Sequence, residues 1–191
     1  MAYAREPISV VQRLLLYVLL LMLSTACFAQ DSQRSDVIVS TTPNGSRLEL
    51  PVGVPAIEVP SGEVRLHRSG ETLRLRAEIA ETPLQRHRGL MYRHSMPENA
   101  GMLFVFQSEQ LGGFWMYNTY IPLSIAYINA QGIIVTLRDM EPCGGRSQQE
   151  CSAEAVNYLP SAPYRYALEV NQSFFETHGI SVGDRASFVR F

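Results

Sequence analysis

Three arginines lie close together near the middle of the chain, at Arg86, Arg88 and Arg93. A guanidinium group presents a planar fork of N–H donors that matches the oxygens of a carboxylate or a phosphate. The cluster therefore predicts a binding site for a small anion. The alternative is a solvated face on which these charges pair with Glu81 or Glu98 and contribute little to stability.

An aromatic run at residues 114–120 (FWMYNTY) supplies further candidate binding residues. The Trp115 ring can stack on a sugar or another small polar ligand, and the Asn118 and Thr119 side chains can orient that ligand. In a competing interpretation, alternate residues of the run point into the core of a sandwich, as strand periodicity requires. Asn118 and Thr119 also come shortly before Pro122, which is compatible with a turn.

Recognised signatures of catalysis are missing from the sequence. It contains no nucleophile elbow, phosphate-binding loop, paired-histidine zinc motif or dinucleotide fingerprint. His87 and His94 have no acidic residue nearby in metal-ligand spacing, so no metal site is predicted. A triad of Ser124 with either histidine is not excluded by spacing, but nothing positive supports it. We therefore predict no catalytic residue and no cofactor.

The overall charge argues against a nucleic-acid partner. Sixteen arginines, no lysine and eighteen acidic residues give the 191-residue chain a formal charge of −2, so no extended basic field is available. A chain of this length is expected to form about one domain with a substantial core. The partner that we expect is a small polar or anionic ligand, with another envelope protein as the alternative.

Residues 1–29 have the three parts of an export signal. Arg5 and Arg13 precede or flank the apolar run 14–23, and small residues follow it. A bilayer-spanning helix needs about 20 apolar residues, so this run predicts a cleaved signal peptide and no integral membrane span. We expect a periplasmic or extracellular protein. The alternative is a lipoprotein anchored through Cys27, because the stretch LSTAC partly resembles a lipoprotein box.

Two cysteines remain beyond the predicted signal peptide, Cys143 and Cys151. An even number of cysteines in an exported chain predicts a disulfide, because that compartment is oxidising. The pair lacks the two-residue spacing of a redox motif and has no histidine close in sequence for a zinc site. The sequence therefore favours a structural bridge that closes the loop CGGRSQQEC.

The remaining segments predict a tether followed by one β-rich domain. Residues 30–46 are polar and end in the turn-forming residues PNGS, which predicts a flexible linker. Residues 47–191 contain short β-favouring runs between turn signals, at 56–59, 64–67, 73–80, 102–106, 123–129, 133–138, 166–170 and 186–191. The fold class that we expect is mainly β: a single antiparallel domain, sandwich-like or barrel-like, with two short helices.

Local signals place one hairpin and both helices. The connection 129–132 ends in Gly132 and predicts an antiparallel hairpin. Thr82 and Gln85 form a capping box for the first helix, which ends at Gly89 and carries two of the three arginines. The second helix is predicted after Ser173, where capping-box spacing recurs.

Several ordered motifs resemble a known family. They are the stretch 78–106 (EIAETPLQRHRGLMYRHSMPENAGMLFVF), the stretch 114–135 (FWMYNTYIPLSIAYINAQGIIV), YALEV and HGISVGDR. Over about residues 60–190 the chain closely resembles the domain of unknown function family 192. The resemblance implies a small, mostly antiparallel β domain with short helices, found in many bacteria and archaea. It implies no established activity.

The resemblance also bears on particular positions. Arg86, Arg88 and Arg93 match basic positions of the family. The family usually has a basic residue where this chain has Tyr117, and an acidic residue where this chain has Ser124. Any function that needs that basic and acidic pair is therefore not implied for this chain.

We interpret the chain as an exported protein of the cell envelope. Its favoured function is that of a small-ligand binding or accessory domain with an arginine and aromatic surface. The alternatives are an unrecognised envelope hydrolase and a module that docks on another protein. A concave pocket that holds an acid or a histidine of perturbed pKa would favour the enzyme, and a dry aromatic patch would favour docking.

Overall fold

A computed structural model describes residues 37–191 of the chain. The predicted signal peptide, Cys27 and the first part of the predicted linker lie outside these residues. The strands are β1 (Val37–Thr41), β2 (Arg47–Pro51), β3 (Ser61–Arg68), β4 (Glu71–Ala80), β5 (Arg93–Ser95), β6 (Ala100–Gln110), β7 (Leu123–Ile128), β8 (Ile134–Met140), β9 (Tyr164–Asn171) and β10 (Arg185–Arg190). The α-helices are α1 (Pro83–Arg88), α2 (Gln148–Glu154) and α3 (Phe174–Thr177), and a 3₁₀ turn (Ala155–Tyr158) follows α2.

The strands form two sheets, which confirms a mainly β, sandwich-like fold. The small sheet has the order β1-β2-β5, and the large sheet has the order β10-β3-β4-β6-β9-β7-β8. All neighbouring strands are antiparallel except β4 and β6, which are parallel. A parallel pair needs a crossover connection, and here α1 and β5 lie in that crossover. The sheet is thus mostly antiparallel, as expected, with this one parallel pair.

The large sheet curls until its two edge strands meet at one corner. The backbone N–H of Ile134 donates to Asp184 (2.9 Å), that of Gly183 to Ile134 (2.9 Å) and that of Ala186 to Gly132 (2.7 Å). These bonds join the start of β8 to the start of β10, and residues 37–191 form no closed barrel. The fold therefore resembles a barrel only at this corner, where the two edge strands are joined by a few hydrogen bonds.

Each face of the large sheet carries its own apolar core. One core lies inside the curl and includes Leu66, Leu75, Leu168 and the two phenylalanines of α3. The other contains Phe104, Met116, Tyr127 and both cysteines, and it is covered by the aromatic run and the helical segments. Side chains alternate between the two faces along every strand. A polar residue in a central strand is therefore forced into one of these cores.

The predicted linker is shorter than residues 30–46. Val37–Thr41 forms β1 and pairs with β2, while Asn44 and Ser46 in the connecting turn are buried. The Asn44 Nδ2 donates to the Gly101 carbonyl of β6 at 3.2 Å. The turn residues that were interpreted as the end of a tether are instead the tip of a hairpin, fixed by contacts that are distant in sequence.

Local signals located some helices better than others. At α1 the capping box of Thr82 and Gln85 is present, and Gly89 ends the helix at φ 48°, as predicted. At α3 the Ser173 side chain makes no cap bond, because its backbone is left-handed at φ 62°. No helix within residues 37–191 combines the length and the apolar character needed to cross a bilayer.

Other secondary-structure predictions have mixed outcomes. The hairpin of β7 and β8 forms, with its turn at residues 129–132. Residues 56–59, predicted as a strand, form none. Helix α2 was not predicted, although Ser147 and Glu150 form a capping box that was visible in the sequence.

The predicted disulfide is confirmed. Cys143 and Cys151 are bonded, and both lie in the core that the aromatic run covers. The bridge connects the loop after β8 to α2, and the Cys143 backbone N–H donates to the Thr119 carbonyl at 3.0 Å. The disulfide therefore fastens the segment that packs beside the aromatic run.

Candidate functional site

A buried ion pair lies where the small sheet meets the large one. Arg93 of β5 is 4% exposed and Glu78 of β4 is 1% exposed. The Arg93 Nη1 and Nη2 atoms donate to the two carboxylate oxygens of Glu78 at 3.0 and 2.5 Å. This bidentate geometry compensates part of the cost of removing both charges from water.

The β1–β2 turn completes the surroundings of Arg93. Its Nη1 also donates to the Thr42 hydroxyl at 3.1 Å and to the side-chain Oδ1 of Asn44 at 3.4 Å. The Arg93 Nε atom is buried and has no hydrogen-bond partner within residues 37–191. Arg93 is thus held by a carboxylate and by neighbouring side chains, as expected of a group that joins two sheets.

A second buried carboxylate lies in the same cross-strand row. Met102 of β6 pairs with Glu78 on one side and with Glu169 of β9 on the other. Partner residues in a sheet project to the same face, so both glutamates enter the core that contains Met102. Glu169 is 4% exposed, and within residues 37–191 no side-chain or backbone group donates a hydrogen bond to it.

Burial changes the protonation of Glu169. It raises the pKa of this carboxyl group to about 8, and the positive charge of Arg93 opposes the increase. At neutral pH Glu169 is therefore mostly a neutral carboxylic acid. In that state its hydroxyl can donate a hydrogen bond, which a carboxylate cannot do.

The two arginines of α1 differ in what they contact. The Arg86 Nη1 donates to the backbone carbonyls of Glu81 and of Val105, the latter at 3.0 Å, and its guanidinium lies over the Phe106 ring. Arg86 therefore fastens α1 to β6. The Arg88 Nη1 donates to the Pro55 carbonyl at 3.1 Å, and its remaining N–H groups make no hydrogen bond within residues 37–191.

The aromatic run divides between core and surface. Met116 is buried in the core and Phe114 packs against it. Trp115 is half-buried and lies 6.0 Å from the His87 ring and 5.5 Å from the Tyr117 ring, measured between centroids. The alternating pattern holds for one set of residues, and Trp115 belongs to the set that stays accessible.

Asn118 hydrogen-bonds to the turn before β5, and Thr119 hydrogen-bonds within the aromatic run. Asn118 has a left-handed backbone at φ 53°, and its Nδ2 donates to the Tyr92 hydroxyl at 2.9 Å. The Tyr92 backbone N–H returns a bond to the Asn118 carbonyl at 2.8 Å. Thr119 is buried, and its hydroxyl donates to the Tyr117 carbonyl at 3.4 Å. Asn118 therefore joins the aromatic run to the turn before β5.

A cleft of about 650 Å³ opens between the β1–β2 hairpin and α1. Its walls include the apolar side chains Leu48, Ile57 and Met91, Arg88 stands at one side, and the Glu78–Arg93 pair also lines it. This volume lies within the range of small-molecule sites. The cleft combines apolar walls with a guanidinium that has unused donors.

A second, much smaller space adjoins the cleft. This space, which we call the Glu169 cavity, has a volume of about 20 Å³, and its lining includes Glu169, Thr119, Trp115 and Phe104. A space of this size holds about one water-sized atom. Arg88, Gly89 and Met91 border both the cleft and the Glu169 cavity.

The structure brings most of the predicted binding residues together, in two groups. Arg88 and Arg93 line the cleft, whereas Arg86, Arg88, Trp115 and Thr119 line the Glu169 cavity. Asn118 lines neither space. Within residues 37–191 no three His, Cys, Asp or Glu side chains are grouped to hold a metal ion.

Comparison with protein-family models identifies the chain. Residues 64–188 match the model of domain of unknown function family 192 (DUF192), which is described as an uncharacterized ACR. The chain belongs to DUF192. The matched range runs from β3 into β10 and contains α1, the aromatic run, Glu78 and Glu169. It does not include the β1–β2 hairpin that forms one wall of the cleft.

Two solved structures resemble the DUF192 domain. A candidate transcription regulator from Sinorhizobium meliloti 1021 is 33% identical, with a TM-score of 0.60 over 70% of this chain and 98% of that chain. A protein of unknown function from Novosphingobium aromaticivorans DSM 12444 is 21% identical, with a TM-score of 0.58 over 80% of this chain and 94% of that chain. No curated protein matches the chain.

Sequence reasoning did not identify the two buried glutamates of this DUF192 domain. Each is an acidic residue flanked by apolar residues within its strand, in the stretches AEIA and ALEV. A charged residue in such a strand requires a partner or an altered protonation state, and this signal was visible. The partner of Glu78 could not be recognised in the sequence, because the predicted pairings of Arg93 were with Glu81 or Glu98.

The side chains at the two positions where the sequence departs from the DUF192 pattern make contacts within the domain. Tyr117 packs beside Trp115 and against the core. The buried Ser124 hydroxyl donates to the Asp139 carboxylate and accepts from the Ser173 backbone N–H at 2.9 Å. Neither His87 nor His94 hydrogen-bonds Ser124 in the described part of the chain, so a triad with them does not form.

Proposed function

We propose that this DUF192 protein binds a small amphiphilic anion in the cleft between the β1–β2 hairpin and α1. The observation that carries the proposal is the position of Arg88, whose guanidinium stands at the cleft with most of its N–H donors unused. Such donors favour a carboxylate or a phosphate. The apolar walls favour a ligand with a hydrocarbon or aromatic portion.

The other predicted binding residues support this site to different degrees. Arg93 lines the cleft, but its charge is compensated by Glu78, so its contribution is to hold the floor of the cleft in place. Arg86 is engaged with backbone carbonyls. Trp115 is near enough to Arg88 to line the same small cavity, which makes its fluorescence a suitable reporter of binding.

Replacing Arg88 by methionine is expected to weaken the binding of hexanoate at least tenfold while the stability of the domain changes little. A hydrogen bond to a charged group contributes about 1.5 to 3 kcal/mol, and methionine retains much of the apolar stem of arginine. Isothermal titration calorimetry and the fluorescence of Trp115, the single tryptophan in the chain, measure the affinity.

Arg138→Met is the matched control, because Arg138 is exposed on β8 and lines neither the cleft nor the Glu169 cavity. It should bind hexanoate as the wild type does. The neutral isostere hexanamide should bind the wild type weakly. If neither hexanoate nor hexyl phosphate binds the wild type, or if hexanamide binds as tightly as hexanoate, the proposal is contradicted.

A hydrolase is the second candidate function, and Glu169 is the observation that favours it. An acid of raised pKa beside a cavity is suited to proton transfer. Against this, none of the described residues provides an activated nucleophile beside Glu169. Ligand binding therefore remains our first proposal.

The name of the Sinorhizobium relative, a candidate transcription regulator, does not lead us to propose DNA binding for this chain. A formal charge of −2 offers no basic field for nucleic acid.

We also propose that the protein is exported and that cleavage after residue 29 yields a soluble mature chain. The support is the sequence of residues 1–29, together with the disulfide, which is typical of an oxidising compartment. Intact-mass measurement of the protein recovered from its host is expected to give a chain that begins at Gln30. A diacylglycerol adduct on Cys27 would contradict this and support the lipoprotein alternative.

A further inference from the structure

Glu169 is a mostly buried side chain that makes no hydrogen bond to another residue within residues 37–191, and its oxygens are not fully enclosed by protein atoms. It is 4% exposed and lines the Glu169 cavity, and no group within residues 37–191 donates a hydrogen bond to it. Buried polar groups in native proteins are nearly always hydrogen-bonded to protein, water or ligand. The missing partner therefore belongs in the cavity.

The cavity and the cleft share three lining residues at the end of α1. Arg88, Gly89 and Met91 border both spaces, so a group held by Arg88 lies beside the wall that they share. Gly89 packs closely against Phe104 in this shared wall, since its backbone is at φ 48° and an added Cβ would lie 3.3 Å from the Phe104 ring. The size of the cavity admits one atom of a ligand, such as a single oxygen.

We propose that Glu169 is a second anchor of the ligand site, at which its carboxylic acid donates a hydrogen bond to one oxygen of an anionic head group held by Arg88. This inference rests on the proposed function and assigns the ligand class: small oxyanions with an apolar tail, bound while Glu169 carries a proton. An ionised Glu169 would repel the same head group, because two negative oxygens would then lie in contact without a proton between them.

The charged groups around Glu169 do not cancel this effect. The titratable or charged groups that face it are Glu78 of β4, Arg93 of β5, Arg86, His87 and Arg88 of α1, and Tyr127 of β7. Glu78 and Arg93 compensate each other, and Arg86 is bonded to carbonyls. The positive charge of Arg88 therefore attracts the head group. Glu169 donates a hydrogen bond to the head group when it is protonated and repels it when it is ionised.

The test is the affinity of hexanoate, which stays ionised from pH 6 to 9.5, measured by titration calorimetry in that range. In the wild type the dissociation constant should be nearly constant up to about pH 8 and then rise about tenfold per pH unit, the slope expected when only the protonated form binds. Glu169→Gln keeps a hydrogen-bond donor without a titrating proton. It should bind at every pH about as the wild type does at pH 6.

Two further variants assign the effect. Glu98→Gln, an exposed glutamate, and His87→Gln should both retain the loss of affinity above pH 8. If hexanoate binds in an Arg88-dependent manner but with an affinity that is independent of pH, Glu169 faces only a water molecule and this inference is wrong while the proposed function stands. If neither hexanoate nor hexyl phosphate binds at any pH, both proposals fail.

Discussion

Replacing Arg93 by methionine is expected to destabilise the domain by about 3 to 5 kcal/mol. The substitution leaves the Glu78 carboxylate buried without its partner, and breaking one side of a buried ion pair has a cost of that size. It also removes the donor to Thr42 and Asn44, which holds the β1–β2 turn. Urea denaturation at pH 7 measures the change in the free energy of unfolding.

Two comparisons make this result specific. Arg47→Met breaks an exposed pair with Glu49 and should change stability by less than about 1 kcal/mol. The double variant Glu78→Gln with Arg93→Met removes both charges, and we expect it to recover part of the lost stability. A single variant within about 1 kcal/mol of wild type, or a double variant less stable than the single one, would contradict the assignment of a paired structural role to Arg93.

The stability of the domain is expected to fall as the pH rises from about 5 to about 8, in proportion to the titration of Glu169. Burial raises the pKa of Glu169 from 4.5 to about 8, so the folded state keeps a proton that the unfolded chain releases in this range. Rising pH then favours the unfolded chain by about 1.4 kcal/mol per unit, or on the order of 4 to 5 kcal/mol in total. Above about pH 8 both states are ionised and the loss stops.

Glu169→Gln isolates this contribution from other titrating groups. The variant should match the wild type near pH 5 and exceed its free energy of unfolding by several kcal/mol near pH 8.5, while Glu98→Gln should follow the wild type throughout. Denaturation at a series of pH values provides the measurement. A constant difference between wild type and Glu169→Gln across this range would mean that Glu169 is already ionised at pH 5.

The relation between sequence and structure is clearest at the short helices. Helix α1 was predicted because Thr82, Gln85 and Gly89 lie within about two helical turns of one another, and its capping box forms. The same spacing at Ser173 was misleading, because that residue has a left-handed backbone, makes no side-chain cap bond and donates its backbone N–H to Ser124 of β7 instead. A capping motif made of near neighbours thus predicts a helix start well, except where tertiary contacts change the backbone conformation of one of its residues.

The strands repeat this distinction. Long apolar runs such as β6 and β7 were predicted, since burial on both faces leaves a continuous pattern. The three strands of the small sheet were missed, because β1, β2 and β5 are short and mostly exposed. Residues 37–46 were interpreted as linker for the same reason, although Asn44 and Ser46 are buried there.

For the candidate site, the residue types alone indicated the arginines and the aromatic run. They could not show which arginine is structural and which is available to a ligand. Arg86, Arg88 and Arg93 are equivalent in sequence, yet one binds carbonyls, one stands at the cleft and one is buried against Glu78. The register across β4, β6 and β9 places the two glutamates on one face, and the position of β5 decides that Glu78 is the one that pairs with Arg93.

By itself the sequence determined the family, the mainly β class, the disulfide and the helix that carries Arg86 and Arg88. Each of these depends on residue types, on local spacing or on ordered motifs that neighbouring residues can specify. The tertiary structure alone decided the parallel pairing of β4 with β6, the place of Glu169 in the core and the shared border of the cleft and the Glu169 cavity. These features arise from pairings between distant segments, and the energy of a buried charge depends on which groups such pairings bring beside it.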